Sequence, residues 1–495
     1  MIDQDVISRL RQTPIPPQRL LIDGGWHDSE DGAEAEVFSP IDGKRLTTLA
    51  KATRGDAERA VRAAKKSFDA GRWSRMAPQG RKKVLLKLAD LIEKHAAELA
   101  VLGVRDNGTE IGMAFKAEPM GAAQTFRYYA EALDKIYGEV APTAHGTLGL
   151  VLREPIGVVA AIVPWNMPMM IAAWKLAPAL AAGNSVVIKP AEAASLTLLR
   201  LGELALEAGL PAGVLNVLTG SGSVVGEALA LDMDVDALVF TGSNPVGRRL
   251  LEYSARSNLK RVYLELGGKS PNIVFADADD LDKAAKAAAM AAFRNSGQVC
   301  VAGTRLLVEA SIHDAFVEKV RVATEALSVG DPLDAANDLG AVISGGQLRS
   351  NLGFIESAKS EGAELVCGGD VILEETGGFY QRPAVMTGVR PGTRLAQEEV
   401  FGPVLAVLPF KDEAEAVAIA NGTEFGLAAG IWTENLSRAH RVAGSVKAGL
   451  VHINTYGGSD LTVPLGGHGQ SGNGHDKSLH AFDKYFNLKT AWFQL

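Results

Sequence analysis

Cysteine is nearly absent from this chain of 495 residues, which contains only Cys300 and Cys367. Two thiols make no disulfide framework, and no Cys/His spacing of the zinc type accompanies them, so a reducing compartment and no metal are expected. Uninterrupted apolar runs are missing as well. The most apolar stretches are broken by Pro164, Pro168, Lys175 and Pro178, and nothing reads as a membrane span. The opening Met1-Ile2-Asp3-Gln4-Asp5 has no basic segment followed by an apolar one, so no signal peptide is expected and the location read from sequence is cytoplasmic. Basic clusters are lacking too, and the net charge of −8 argues against nucleic-acid binding. What is present is the composition of an ordinary globular protein, 47% apolar and 22% charged. The length suits roughly three domains with a large core.

Residues 1–18, punctuated by Pro14, Pro16 and Pro17, read as a surface arm. Short strands are expected near Leu20–Ile22 and Glu36–Phe38. Helical apolar spacing follows over Asp56–Phe68, over Arg81–Val104 and over Ala122–Asp134. After Ile156 the pattern changes. Short apolar runs at 157–163, 185–188, 214–218, 237–240 and 262–266 alternate with helical stretches at 169–182, 196–208, 223–231 and 246–257. Strands buried on both faces with helical crossovers predict a doubly wound parallel sheet. A second such series starts after Ala278, with an alanine-rich helix to Phe293 and strands at 305–308, 404–410, 429–432 and 450–454. The fold class is therefore α/β, with two adjacent α/β units and catalytic residues expected near strand ends.

The chemistry centres on Asn295-Ser296-Gly297-Gln298-Val299-Cys300 and Leu264-Glu265-Leu266-Gly267-Gly268-Lys269. A thiol is a strong nucleophile only as thiolate, and a nearby carboxylate can activate water to release what the thiol has captured. Backbone dipoles and a bound cationic cofactor are expected to favour the thiolate of Cys300. A single cysteine is more often a buried structural residue, and Cys367, in Leu365-Val366-Cys367-Gly368-Gly369, keeps that reading. Two glycine turns follow strands, Thr219-Gly220-Ser221-Gly222 with Gly226 beyond, and Phe240-Thr241-Gly242-Ser243 with Gly247 beyond. Both open helices whose amides suit a pyrophosphate. Neither is Gly-x-Gly-x-x-Gly, and in the first Val225 stands where the last glycine belongs, so an ordinary turn is the readier reading of each.

Seven motifs occur in one order: Pro164-Trp165-Asn166, Lys189-Pro190-Ala191-Glu192, Phe240-Thr241-Gly242-Ser243, Glu265-Leu266-Gly267-Gly268-Lys269, Gly297-Gln298-Val299-Cys300, Glu399-Val400-Phe401-Gly402-Pro403 and Ser471-Gly472-Asn473-Gly474. On these the chain resembles the aldehyde dehydrogenase superfamily over essentially its whole length. Within it, Arg127–Val140 and Ser471–Ala481 look most like enzymes acting on γ-glutamyl-aminobutyraldehyde and related ω-amino or guanidino aldehydes.

The resemblance implies a Rossmann-like NAD domain (1–134 and 156–267), a catalytic α/β domain (268–481) and a small β oligomerisation flap (135–155 and 482–495). It implies a homodimer or homotetramer, with NAD as cofactor and NADP admitted, because Glu192 would accept from both ribose hydroxyls and repel a 2′-phosphate. It assigns Cys300 as nucleophile, Glu265 as base, Asn166 to the oxyanion and Lys175 as a supporting lysine. Cofactor contacts would come from Ile162, Val163, Pro164, Trp165, Lys189, Glu192, Gly222, Gly226, Phe240, Thr241, Gly242, Ser243, Leu266, Gly267, Glu399 and Phe401. The substrate channel would be lined by Met167, Ile171, Trp174, Arg294, Val299, Val301, Asp460 and Leu465.

Which aldehyde enters is left open by these residues. Glu118 and Asp460, expected at the channel mouth, would favour a cation, whereas an inward Arg294, where relatives have an aromatic residue, would favour a carboxylate. All three also suit solvated surface positions. Leu465 after Pro464 replaces an aromatic residue and would widen the pocket toward an aromatic aldehyde, and His475 replaces an arginine. A CoA-acylating enzyme would not need Glu265, and a non-catalytic relative would have lost the nucleophile, the base or the oxyanion amide, all of which are present.

Overall fold

The computed structural model describes residues 2–495. Two seven-stranded sheets form its centre. In the first, the order is Arg261–Glu265, Ala237–Thr241, Val158–Ile162, Ser185–Lys189, Leu215–Val217, Leu20–Ile22 and Gly25–His27. The first five of these strands run parallel, and Leu20–Ile22 and Gly25–His27 join antiparallel. Strands such as Val158–Ile162 and Ser185–Lys189 are buried along their whole length, which is why they read as continuous apolar runs. The helices Pro168–Ala182 and Leu196–Ala208 are accordingly buried over most of their surface.

The second sheet is ordered Glu364–Cys367, Ala384–Thr387, Val404–Phe410, Arg305–Glu309, Pro271–Val274, Ala428–Trp432 and Leu450–Ile453, with only the first pair antiparallel. The alanine-rich helix Leu281–Phe293 packs its small side chains against this sheet. A third sheet of three strands pairs Phe486–Gln494 with Thr147–Pro155 in an unbroken antiparallel register, and Glu139–Ala141 closes its other side. Among the described residues no helix is long and apolar enough to cross a membrane.

Two expectations from sequence need correction. The amino-terminal arm holds a helix, Gln4–Arg11, capped by Asp3 and anchored by the buried Ile7. Its one apolar turn was masked by the polar residues and prolines around it. The single helix expected over 81–104 is two, Pro78–Lys94 and Ala96–Asn107, hinged at His95, whose Nδ1 lies 2.7 Å from Glu98. Both halves keep helical periodicity, so the change of axis left no trace in the pattern. The helix expected over Ala122–Asp134 is present as Gly121–Ala132 with a 3₁₀ turn Leu133–Lys135, and a π-helical turn, Lys116–Met120, containing Pro119, leads into it.

Candidate active site

Glu265 ends its strand directly opposite Thr241, and its carbonyl accepts from the Gly242 amide at 3.1 Å. The segment Ser471–Gly474 clamps this strand end from the other side. Asn473 Oδ1 accepts from Leu264 N at 2.9 Å, Leu264 O accepts from Gly474 N at 2.9 Å, and Ser471 Oγ donates to Gly267 O at 2.8 Å. Gly472, at φ +113°, is required here, because a Cβ would stand 2.1 Å from the Leu264 carbonyl.

The cysteine loop is held just as closely. Asn295, Ser296 and Gly297 take three successive left-handed conformations, with φ of 52°, 52° and 72°. Non-glycine residues resist this region, so the loop needs support. Glu110 Oε1 accepts from Asn295 N at 3.2 Å, Ser296 Oγ donates to Gly340 O at 2.8 Å, and Gln298 Oε1 accepts from Ile343 N at 2.9 Å. A Cβ on Gly297 would lie 2.2 Å from the Gly402 carbonyl, so the loop approaches the 399–403 turn at backbone distance. Asn166 joins the loop from the strand–helix connection, donating from Nδ2 to Gln298 O at 2.8 Å, while Asn295 Nδ2 donates to Asn166 O at 3.2 Å.

These elements enclose a cavity of about 220 Å³ lined by Pro164, Trp165, Asn166, Ile171, Thr241, Gly242, Ser243, Leu266, Gly267, Cys300, Gln347, Glu399 and Phe401. Trp165 and Phe401 meet edge to face at 5.2 Å, with Phe401 held at φ 54°. Glu399 accepts from Gly268 N at 3.0 Å. Burial pushes its carboxyl up to about 7. The Thr241 hydroxyl is buried without a partner.

The expected cofactor residues outside this cavity sit along the same sheet edge. Ile162 ends one strand and Val163 follows it, Lys189 ends the next, Phe240 lies in a third, and Gly222 and Gly226 bound a π-helical turn. A Cβ on Gly222 would meet nothing within 4 Å, so the surface there is open. Lys189 donates only to the Pro190 carbonyl, at 2.8 Å, and burial lowers its ammonium to about 8. Glu192 is exposed. Ser243 precedes the helix Asn244–Ala255 without capping it, leaving amides there open.

Burial governs the Cys300 thiol. Burial raises its thiol to about 12, the charges of Glu399 and Glu265 add to that, and the Val301 amide and Arg294 only partly offset it. The resting residue is a neutral thiol, because desolvation of a thiolate outweighs the dipoles that surround it. Glu265 is buried with Oε1 unpartnered, on the side of Gly474. Burial and then Asp476 raise its carboxyl well above the ordinary value, with Lys175 and Lys484 opposing.

Lys175 does not reach the cysteine. It lies within the helix Pro168–Ala182, which Asn166 precedes, and its Nζ donates to Asp476 Oδ2 at 2.8 Å. Lys484 donates to Asp476 Oδ1 at 2.6 Å. All three are buried, and the two ammonium groups hold the Asp476 carboxyl far below the carboxylate range despite its burial. Sequence reasoning missed Asp476 and Lys484 in this role. The signal was a lone acid in Gly474-His475-Asp476-Lys477, with nothing to show its partners. It also missed Gln347, a cavity wall that donates to the Val400 and Phe401 carbonyls at 3.0 and 3.2 Å.

The expected channel residues are only partly together. Ile171 lines the cavity, and Met167 and Val299 are buried beside the loop. Trp174 carries Lys477 Nζ over its ring at 5.9 Å, and Val301 O accepts from Tyr456 Oη at 2.9 Å. Leu465 pairs with Asp476 in a two-residue strand. Asp460 is exposed and accepts from Thr462 N. Glu118 is neither at the channel mouth nor solvated. It is buried, accepts from Met169 N at 2.7 Å, and burial raises it to about 8, so it is a neutral acid at the start of the Pro168–Ala182 helix.

The model of the aldehyde dehydrogenase family matches residues 26–491. The chain is 48% identical over 480 residues to the NADP/NAD-dependent aldehyde dehydrogenase PuuC of Escherichia coli K12, covering 96% of each. Among solved structures, γ-glutamyl-γ-aminobutyraldehyde dehydrogenase from Burkholderia cenocepacia is 49% identical, with a TM-score of 0.98 over the full length of both chains. P. syringae indole-3-acetaldehyde dehydrogenase AldA, in complex with NAD⁺ and IAA, is 50% identical, with a TM-score of 0.98 over the same extent.

Proposed function

The chain belongs to the aldehyde dehydrogenase family, and on that premise we propose that it oxidises an aldehyde to its carboxylic acid with NAD, NADP being admitted, through Cys300. The observation that carries this is the sharing of one cavity by Cys300, the Asn166 amide, Glu399 and the Trp165–Phe401 pair.

The cavity suits a nicotinamide and its ribose: an unpartnered Thr241 hydroxyl, a carboxylate at Glu399 and an aromatic wall at Phe401 converge on it. Lys189, Glu192, Ser243 and the open turn at Gly222 suit the adenosine and pyrophosphate end. The cofactor supplies the hydride acceptor when bound.

The chain's own residues do the rest. Cys300 Sγ attacks the aldehyde carbon, and its proton goes to a base. Glu265, whose raised pKa makes it a competent acceptor, serves after turning from its seat beside Gly474. The oxyanion of the thiohemiacetal is held by the second Asn166 Nδ2 hydrogen, the first being spent on Gln298 O, and by the Cys300 backbone amide. Loss of hydride leaves a thioester on Cys300. Glu265, having given up the thiol proton to solvent, then takes a proton from the water that hydrolyses the thioester, and Cys300 leaves as thiolate. Lys175 acts at a distance, fixing Asp476 and through it the field on Glu265.

Residues 1–134 and 156–267 serve as the cofactor domain, 268–481 as the catalytic domain, and 135–155 with 482–495 as the oligomerisation flap. The flap reading rests on the edge strand Phe486–Gln494, whose Leu488 and Trp492 are exposed in a single chain. The assembly is a homodimer or homotetramer, the location cytoplasmic, and the substrates ω-amino or γ-glutamyl-amino aldehydes, the last being what the Burkholderia cenocepacia relative is named for.

The test is NADH formation with a panel of aldehydes, beside Cys300→Ala. Turnover by the wild type and none by the variant supports the reading. NAD binding with no turnover of any aldehyde overturns it.

A further inference from the structure

Three successive left-handed residues make the cysteine loop costly to hold, and its ties come from few places. Among the described residues, two side chains from outside hydrogen-bond the backbone of Asn295–Cys300. Asn166 donates to Gln298 O at 2.8 Å, and Glu110 accepts from Asn295 N at 3.2 Å. Asn166 already serves the oxyanion. Glu110 is buried, lines no part of the cavity of Cys300 and takes no step in the aldehyde chemistry.

Both outside ties lead back to one turn. The helix Ala96–Asn107 ends at Gly108, at φ +79°, and Thr109 and Glu110 follow. Asn107 Nδ2 donates at 3.2 Å to the carbonyl of Trp165, the residue before Asn166, and Asn107 Oδ1 accepts from Thr109 N at 3.1 Å. Gly108 O accepts at 3.0 Å from Ala341 N, next to Gly340, whose carbonyl takes the Ser296 hydroxyl. Ile111 N donates to Pro332 O at 2.8 Å. One turn therefore touches the segment that carries the oxyanion amide, the loop that carries the nucleophile and the segment that braces that loop.

As an acceptor Glu110 works in either charge state. Burial raises its carboxyl to about 7; its own amide, the Asn295 amide and the Arg294 charge oppose the rise, and Asp338 adds to it. The acid and the carboxylate both present an oxygen to the Asn295 amide. Arg294 is seated elsewhere, against Gly457, where a Cβ would fall 2.7 Å from one terminal nitrogen. Without the Glu110 oxygen a buried amide in a strained loop has no partner, which is unfavourable. A shift of the loop that finds it another partner moves the thiol against the Asn166 amide.

From this geometry we propose that Glu110 is a positioning residue of the reaction, which through the Asn295 amide holds Cys300 in register with the oxyanion donor Asn166. The inference rests on the aldehyde-oxidising reading of Cys300 and deepens it. Glu110 stands outside the cavity, and its effect falls on the step in which thiol and oxyanion donor act together. That step is the addition of Cys300 to the aldehyde and the loss of hydride that follows. A small misplacement of reacting groups is costly in rate. The binding of NAD, which none of these bonds involves, is spared.

The experiment measures NADH formation in a single turnover by excess enzyme at saturating NAD, using the aldehyde that the wild type turns over fastest. The dissociation constant of NAD is read alongside, in the wild type, Glu110→Ala and Glu110→Gln. In Glu110→Ala the single-turnover rate and kcat fall by about tenfold to a hundredfold, while NAD binds within about twofold of the wild type. Glu110→Gln, whose amide oxygen still accepts from Asn295 N, recovers the rate to within about threefold. A wild-type rate in Glu110→Ala, a Glu110→Gln as slow as Glu110→Ala, or an NAD affinity that falls as far as the rate overturns the proposal. Each of these leaves aldehyde oxidation standing. No turnover of any aldehyde by the wild type, with NAD still bound, defeats the reading of Cys300 itself, and this inference with it. Should Glu110→Ala fail to fold, Glu110→Asp decides, since it keeps the charge and shortens the reach by one methylene. A rate about tenfold or more below the wild type upholds the proposal, and a wild-type rate overturns it.

Discussion

Behind Glu265 lies a cluster of buried charges, Lys175, Asp476 and Lys484, in which the carboxylate has an ammonium on each oxygen. In front of it lies the cavity of Cys300, where the Thr241 hydroxyl has no partner, and Glu265 Oε1 beside Gly474 has none either. Both regions are buried, and both bring polar groups from distant parts of the chain together. The first is closed and the second is open. Buried polar groups that find all their partners hold a fold together, whereas those left without partners raise its energy and persist where a ligand or a reacting atom is to complete them.

The contrast can be broken most severely at the nucleophile. Cys300→Ala lowers aldehyde turnover by roughly 10⁴-fold or more while NAD still binds, which kinetics and cofactor titration check together. Glu265→Gln comes next, with steady-state turnover down roughly 10²- to 10⁴-fold. Because the Glu265 carboxyl is raised well above its ordinary value, wild-type turnover rises with pH through a range above that of a free glutamate. The variant loses this limb of the profile. A profile flat in both proteins would remove Glu265 from the base role.

On the closed side, Asp476→Asn leaves two buried ammonium groups without their counter-charge and destabilises the fold by about 3–5 kcal/mol, measured by urea unfolding. The pH dependence has a definite sign. Asp476 is depressed in the folded protein, so its contribution is full above the unfolded carboxyl value of about 3.9 and fades as pH falls through that value toward the folded one. The variant is missing that acid-side loss.

Asn166→Ala, at the border of the two regions, costs about 2.7–4 kcal/mol of transition-state stabilisation through the lost oxyanion donor, read in kcat with little change in melting temperature. The smallest effect is at the second thiol. Cys367 packs at the edge of the second sheet, away from the cavity, and Cys367→Ala changes turnover by less than about twofold and stability by about 1 kcal/mol or less. A large loss of turnover there would mean that the division between the regions is misplaced.

Much of this was legible before any coordinates. The five parallel strands from Val158–Ile162 to Arg261–Glu265 were read within a residue or two, because burial on both faces writes itself as an apolar run. Pro164, Trp165, Thr241, Gly242, Glu399 and Phe401 were expected at the cofactor and do line one cavity with Cys300. Other features were hidden. The hinge at His95 leaves the helical period intact on both sides. Glu118 reads as a surface acid until the start of the Pro168–Ala182 helix is folded over it. The burial that its loop imposes on Cys300 is equally absent from the motif.

By itself the sequence determined the elements and the chemistry. Apolar spacing dictates strands and helices within a few residues of one another, and a cysteine, a glutamate and an asparagine in fitting motifs carry their reactivity wherever they are placed. Only the tertiary structure decided which charges are spent. Lys175 meets Asp476 and Arg305 meets Ile419 across more than a hundred residues of chain, whereas the Thr241 hydroxyl in the cavity meets no partner. Pairing depends on distance in space and on exclusion of water, and neither is a property of a stretch of sequence.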